Sequence, residues 1–96
     1  ILPKSGEGPS ETKRINGYYN LRFYLTVGNK TYVNKIIGDM DPGYGSTSKM
    51  LAESAVCLAL DKTPEKFGIL TPSVGLGDSL LKRLQENAGL TFESNI

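Results

Sequence analysis

Tyr18-Tyr19-Asn20-Leu21-Arg22-Phe23-Tyr24-Leu25-Thr26-Val27, then Gly28-Asn29, then Lys30-Thr31-Tyr32-Val33-Asn34-Lys35-Ile36-Ile37, is the stretch whose reading decides the fold. Its first limb alternates, with Tyr19, Leu21, Phe23, Leu25 and Val27 on one face and Asn20, Arg22, Tyr24 and Thr26 on the other. A period of two is the mark of a half-buried strand. Glycine in the first position of a two-residue loop suits the mirror-image turns that join antiparallel strands, so the two limbs read as a hairpin over about 18–37. A two-residue loop sets Leu25 against Tyr32, Phe23 against Asn34 and Leu21 against Ile36; a three-residue loop instead puts Val33 and Ile37 on the apolar face. Both registers are compatible with the sequence. Arg22 and Lys35 project from the hairpin, where a cationic pair either meets an acidic partner or is spread by solvent, the solvated form being favoured.

Next along the chain, Asp41-Pro42-Gly43-Tyr44-Gly45-Ser46-Thr47 runs into an apolar segment that ends near Asp61, which predicts a helix over about 46–61. Gly43 and Gly45 permit positive φ or close approach, and Ser46 and Thr47 are good N-cap types. The first-turn amides carry the positive end of the helix dipole, a suitable place for an anionic or carbonyl oxygen. Gly43, Tyr44, Gly45, Ser46 and Thr47 are therefore the candidate substrate- or cofactor-proximal residues; equally, such glycines can serve only to bend a strand into a packed helix. The helix bears few charges and should pack closely on most sides.

Farther out, Thr71-Pro72 has the form of an N-cap followed by proline at the first helical position. Gly75 and Gly77 weaken the turns that follow, so this second helix begins at 72 or 78 and ends near 88, with Gly89 as its C-terminal cap and Lys82 and Arg83 on a solvated face. Leu90 to Glu93 can form a short last strand. Residues 1–17 lack hydrophobic period and read as a loop or linker. The class is thus α+β, with residues 18–96 as the structured part of a single domain.

Composition removes several functions. With no His and one Cys, the commonest general base and any multi-cysteine zinc site are missing, and no catalytic or metal residue is indicated. Asp39 and Asp41 flank Met40 as turn-forming and capping carboxylates. A formal charge of +1 gives no pull toward nucleic acid. Cys57 reads as a buried, inert thiol of a cytoplasmic protein, and no apolar run reaches the ~20 residues of a membrane helix. Gly75-Leu76-Gly77 and Gly43-Tyr44-Gly45 each lack the strand and third glycine of a dinucleotide fingerprint. The absence of a starting Met suggests a piece of a longer chain.

GEGPSETKR, GYYNLRFYL, GDMDPGYGSTSKMLAESAVCLALD and GILTPSVGLGDSLLKRLQENAGLTFE together resemble, in order and spacing, the C-terminal part of the saccharopine dehydrogenase-like oxidoreductases, including the trans-acting enoyl reductases of lipid synthesis. The resemblance runs from Gly6 to Glu93. It implies that the chain is a C-terminal fragment without the N-terminal dinucleotide-binding domain, contributing structure, cleft wall and self-association, and not catalytic alone. NAD or NADP is then expected for the parent protein and none for the fragment. Expected partners are the dinucleotide-binding domain of the parent chain, lying toward the helix opened by Gly43 to Thr47, and a second copy in a homodimer. The alternative is a free-standing interaction module that dimerises or binds a partner protein through its aromatic hairpin and apolar helix.

Overall fold

The computed structural model describes residues 4–96. Six elements follow one another: α1 (Glu11–Asn16), β1 (Tyr19–Val27), β2 (Lys30–Gly38), α2 (Gly45–Leu60), α3 (Pro72–Asn87) and β3 (Leu90–Ser94). The three strands form one antiparallel sheet in the order β1-β2-β3. This is the α+β arrangement that the periodicities imply.

The hairpin takes the two-residue loop. Gly28 has φ of 60°, as a mirror-image turn requires, and Val27 pairs with Lys30, Leu25 with Tyr32, Phe23 with Asn34 and Leu21 with Ile36. Arg22 and Lys35 are opposite each other, and Lys35 meets an acidic partner: its Nζ lies 2.9 Å from Glu93 Oε2 on β3 in an exposed pair.

Both helices of the sequence reading are present, and α3 shows why its start was ambiguous. Pro72 occupies the first turn after Thr71, yet Gly77 at φ 57° and ψ −141° breaks the helix at the point where the second candidate start falls. Gly89, at φ 68°, follows the Ala88 cap and turns the chain into β3. The stretch 1–17 is not all loop. Ile1 to Pro3 lie outside the described residues, but Ser10 caps the six-residue helix α1, its Oγ accepting from Lys13 N at 3.4 Å. A helix this short has no apolar period to give it away, and its stability comes from what it touches: Arg14 O accepts a hydrogen bond from Asp41 N at 3.1 Å.

The core is small. Cys57, Leu76 and Leu80 are buried with Leu84 against them where α2 meets α3, and Ala88 and Leu90 are buried at the junction to β3. The helices lie over only one end of one sheet face, where Tyr19, Leu21, Ile36, Leu90 and Phe92 look toward Met50 and Leu84 across an open apolar cleft of about 470 Å3. Beyond it the hairpin continues uncovered. Phe23, Leu25 and Val27 are half or more exposed, so the expected half-buried strand is an exposed one. The outer side of α2 is likewise open at Leu51, Leu58 and Leu60, contrary to close packing on most sides.

Size measures agree. The accessible surface of 7439 Å2 exceeds the roughly 5,400 Å2 expected of a folded monomer of this mass. The radius of gyration is 16.0 Å, against about 12.5 Å for a compact domain of this length.

Gly38 is closely covered by the ring of its cross-strand partner, Tyr19. A Cβ there would overlap the Tyr19 ring, which cannot swing aside without losing the 2.8 Å hydrogen bond between its hydroxyl and Ser46 Oγ. Gly38→Ala should therefore destabilise by about 2 kcal/mol, the scale of overpacking, in chemical denaturation. That cost should largely disappear in a Tyr19→Ala background, as a double-mutant cycle would show.

Candidate functional site

The turn from Asp41 to Thr47 is organised by one carboxylate. Asp41 Oδ2 accepts from Tyr44 N at 2.9 Å and Oδ1 from Gly45 N at 2.8 Å, while Asp41 O accepts from Ser46 N at 2.9 Å. Desolvation pushes the Asp41 carboxyl up, but the N–H groups of Tyr44, Gly45 and Gly43 and the charge of Arg14 outweigh it, and the group sits below its ordinary range.

Ser46 and Thr47 do not act as N-caps. Tyr44 takes that position without a side-chain bond, and the capping oxygen comes from Asp41, three residues upstream of it. Ser46 is buried, its hydroxyl paired with Tyr19. Thr47 Oγ1 donates to Pro42 O at 2.6 Å. Gly45 is needed for close approach, since a Cβ would meet Asp41 Oδ1 at 2.8 Å and Met40 at 3.0 Å. The five candidate residues thus share one turn; among them the side chains of Tyr44 and Thr47 are exposed.

A dinucleotide phosphate fits poorly here. The amides that would cradle it are bonded to a carboxylate of the chain itself, and a second anion beside Asp41 would be repelled. Gly77, in the other glycine pair, sits at the break of α3 with Pro64 against it. Among the described residues no group of three His, Cys, Asp or Glu is placed to hold a metal ion.

A second polar cluster joins α2 to α3. Arg83 Nε and Nη2 donate to Asp61 at 2.5 and 2.8 Å in a two-pronged pair, and Nη1 donates to Glu53 at 3.2 Å, where Asn87 Nδ2 also reaches Glu53 at 3.2 Å. Arg83 is therefore not on a solvated face, whereas Lys82 is, with Glu86 one turn away at 3.9 Å. The hydrogen bond from Arg83 holds the Asp61 carboxyl down, and Asp61 and Glu53 in turn raise the already basic guanidinium. Burial first, and then Asp61, pushes the Cys57 thiol up, so it is a poor nucleophile. Neither the Tyr19–Ser46 pair nor the Arg83 cluster has a sequence signature, because each joins residues at least 22 positions apart.

Several known proteins match this chain over a part of their own length. A Mycobacterium tuberculosis (strain ATCC 25618 / H37Rv) protein provisionally named a trans-acting enoyl reductase is 40% identical over 97 aligned residues, covering 98% of this chain and 23% of that protein. The trans-acting enoyl reductase of Mycobacterium ulcerans (strain Agy99) is 38% identical over 90% of this chain and 21% of its own length. That of Mycobacterium bovis (strain BCG / Pasteur 1173P2) is 36% identical over 88% and 21%. The chain spans less than a quarter of the length of these relatives. No protein-family model matches it, and neither does any solved structure.

Because the Asp41 carboxyl is held below its ordinary range of about 3.8, its contribution to stability is complete above that pH and lost as pH falls through the lowered value. Asp41→Asn should therefore lower the melting temperature at pH 7, and the gap to wild type should narrow as pH falls below 3.8 in a series of thermal melts.

Proposed function

We propose that this chain is a C-terminal segment of an NAD(P)-dependent oxidoreductase of the saccharopine dehydrogenase-like kind, acting on an enoyl group. The observation that carries the reading is its similarity, over 88–98% of its own length, to less than a quarter of proteins named trans-acting enoyl reductases. The rest of such a polypeptide supplies the dinucleotide-binding domain. Reduction of an enoyl group adds a hydride and a proton across the carbon–carbon double bond, and the hydride comes from the nicotinamide. This segment's part is to shape the cleft wall and support self-association in a cytoplasmic homodimer; alone it is not catalytic.

In this reading the turn from Gly43 to Thr47 lies beside substrate or cofactor and offers shape in place of charge, since Asp41 already holds its amides. Tyr44 and Thr47 are the exposed side chains of the turn, and Tyr44 is the one whose polar group is not already bonded within it. The excess accessible surface supports a segment built to be covered.

Calorimetric titration tests the assignment. The full-length polypeptide carrying this segment should bind NADH or NADPH saturably, and the 96-residue chain alone should bind neither. Micromolar binding by the isolated chain, or none by the full-length protein, overturns it. Thr47→Val removes the bond to Pro42 O and should lower stability by about 1 kcal/mol, read from thermal melts.

A further inference from the structure

The outer edge of β1 carries the clearest unfilled requirement in the molecule. Among the described residues β1 has one neighbour, β2. Its register shows which of its backbone groups are left over. Val33 N donates to the Asn95 side chain at 2.6 Å and Val33 O accepts from Asn95 N at 3.3 Å, so the polar backbone of Val33 points toward the β3 side. Tyr24 lies directly opposite Val33, and in an antiparallel pair both members then turn their N–H and C=O away from each other. By alternation the N–H and C=O of Asn20, Arg22, Tyr24 and Thr26 all face outward along this nine-residue strand.

Such an edge is normally guarded by proline, a bulge, inward charge or short length. β1 has none of these. It contains no Pro or Gly, pairs with β2 without interruption from Tyr19 to Val27, and has Arg22 as its one charge. One of its faces is also apolar and uncovered, through Leu21, Phe23, Leu25 and Val27.

We infer that β1 is an interior strand of the complete protein, and that a further strand from the same polypeptide, outside this segment, adds along its free edge. The inference rests on the reading that the chain is part of a longer protein. More than three quarters of each relative's length lies outside the matched region, ample to supply that strand and the layer that covers the apolar face. A second copy accounts for less. Twofold pairing through β1 buries about 800 Å2 per partner at the standard size, whereas the chain exposes about 2,000 Å2 more than a self-contained one. Part of that excess lies at Phe67 and Ile69, fully exposed in the loop between α2 and α3, so one patch on β1 does not satisfy it.

Amide hydrogen exchange on the full-length polypeptide, resolved to single residues and run at two protein concentrations about 100-fold apart, tests the inference. Arg22 and Tyr24 should exchange at least ~100-fold more slowly than unpaired amides at both concentrations. Rapid exchange means an open edge, and slowing confined to the higher concentration means that a second copy is the occupant; either result overturns the proposal. Tyr24→Pro, which removes an outward N–H and no bond to β2, should speed exchange at Arg22 and Thr26, while Tyr24→Thr should not. Equal exchange in the two variants would count against strand addition. Exchange at these amides is read without NAD(P), so the result stands apart from the calorimetric test of the oxidoreductase reading.

Discussion

Asp41 fastens the end of α1 to the start of α2. Its carboxylate holds the amides of Tyr44 and Gly45, its carbonyl holds Ser46 N, and its own N–H reaches back to Arg14 O at the end of α1. Gly17 is part of the same knot, because any side chain there would collide with the Asp41 backbone. Since Ser46 in turn fixes Tyr19, and the Tyr19 ring lies against Gly38, the start of α2 is locked to the first pair of the sheet by local polar geometry and not by a large apolar core. The same bonds cancel the positive end of the α2 dipole with an internal anion, and this decides what kind of ligand the turn can face.

Away from that knot the structure is held by few contacts. The α2–α3 pair has its own small core around Cys57 and its own clamp, in which Arg83 reaches two carboxylates at once; among the described residues the sheet meets the helices at the end near Gly38 and Leu90. A helix with apolar residues on most sides is one that other structure surrounds, and α2 has that character while Leu51, Leu58 and Leu60 stand in the open. The exposed hairpin and the Phe67–Ile69 loop repeat the message from opposite ends of the chain order. These features fit a segment whose partner surfaces are supplied by a longer polypeptide, as the fourfold greater length of its mycobacterial relatives suggests.

Much of the fold was legible in advance where a short-range rule governed it. A hairpin turn at Gly28-Asn29, though not its register, the period of two in β1, Thr71-Pro72 before α3 and Gly89 after it are each encoded within a few residues. The candidate turn was legible as a glycine-rich helix start, but its capping group was not: Ser46 and Thr47 have the right chemistry, and the sequence has no means of saying that Asp41 gets there first. Arg83 was misplaced for a similar reason, since a charge on an amphipathic helix reads as solvated unless the helix carrying Asp61 and Glu53 is known to lie beside it.

The sequence by itself determined the two hairpin strands, α2, α3 and β3, their order and the absence of imidazole and multi-thiol chemistry, because these depend on residue identity and on periods shorter than a turn or two; α1, too short to show a period, it did not reveal. Tertiary structure alone decided the hairpin register, the burial of Ser46, the pairing of Arg83 and, above all, which apolar residues are covered. Alternation says that one face of β1 is fit to be buried, but burial needs a second layer, and in these 96 residues the helices reach only one end of it.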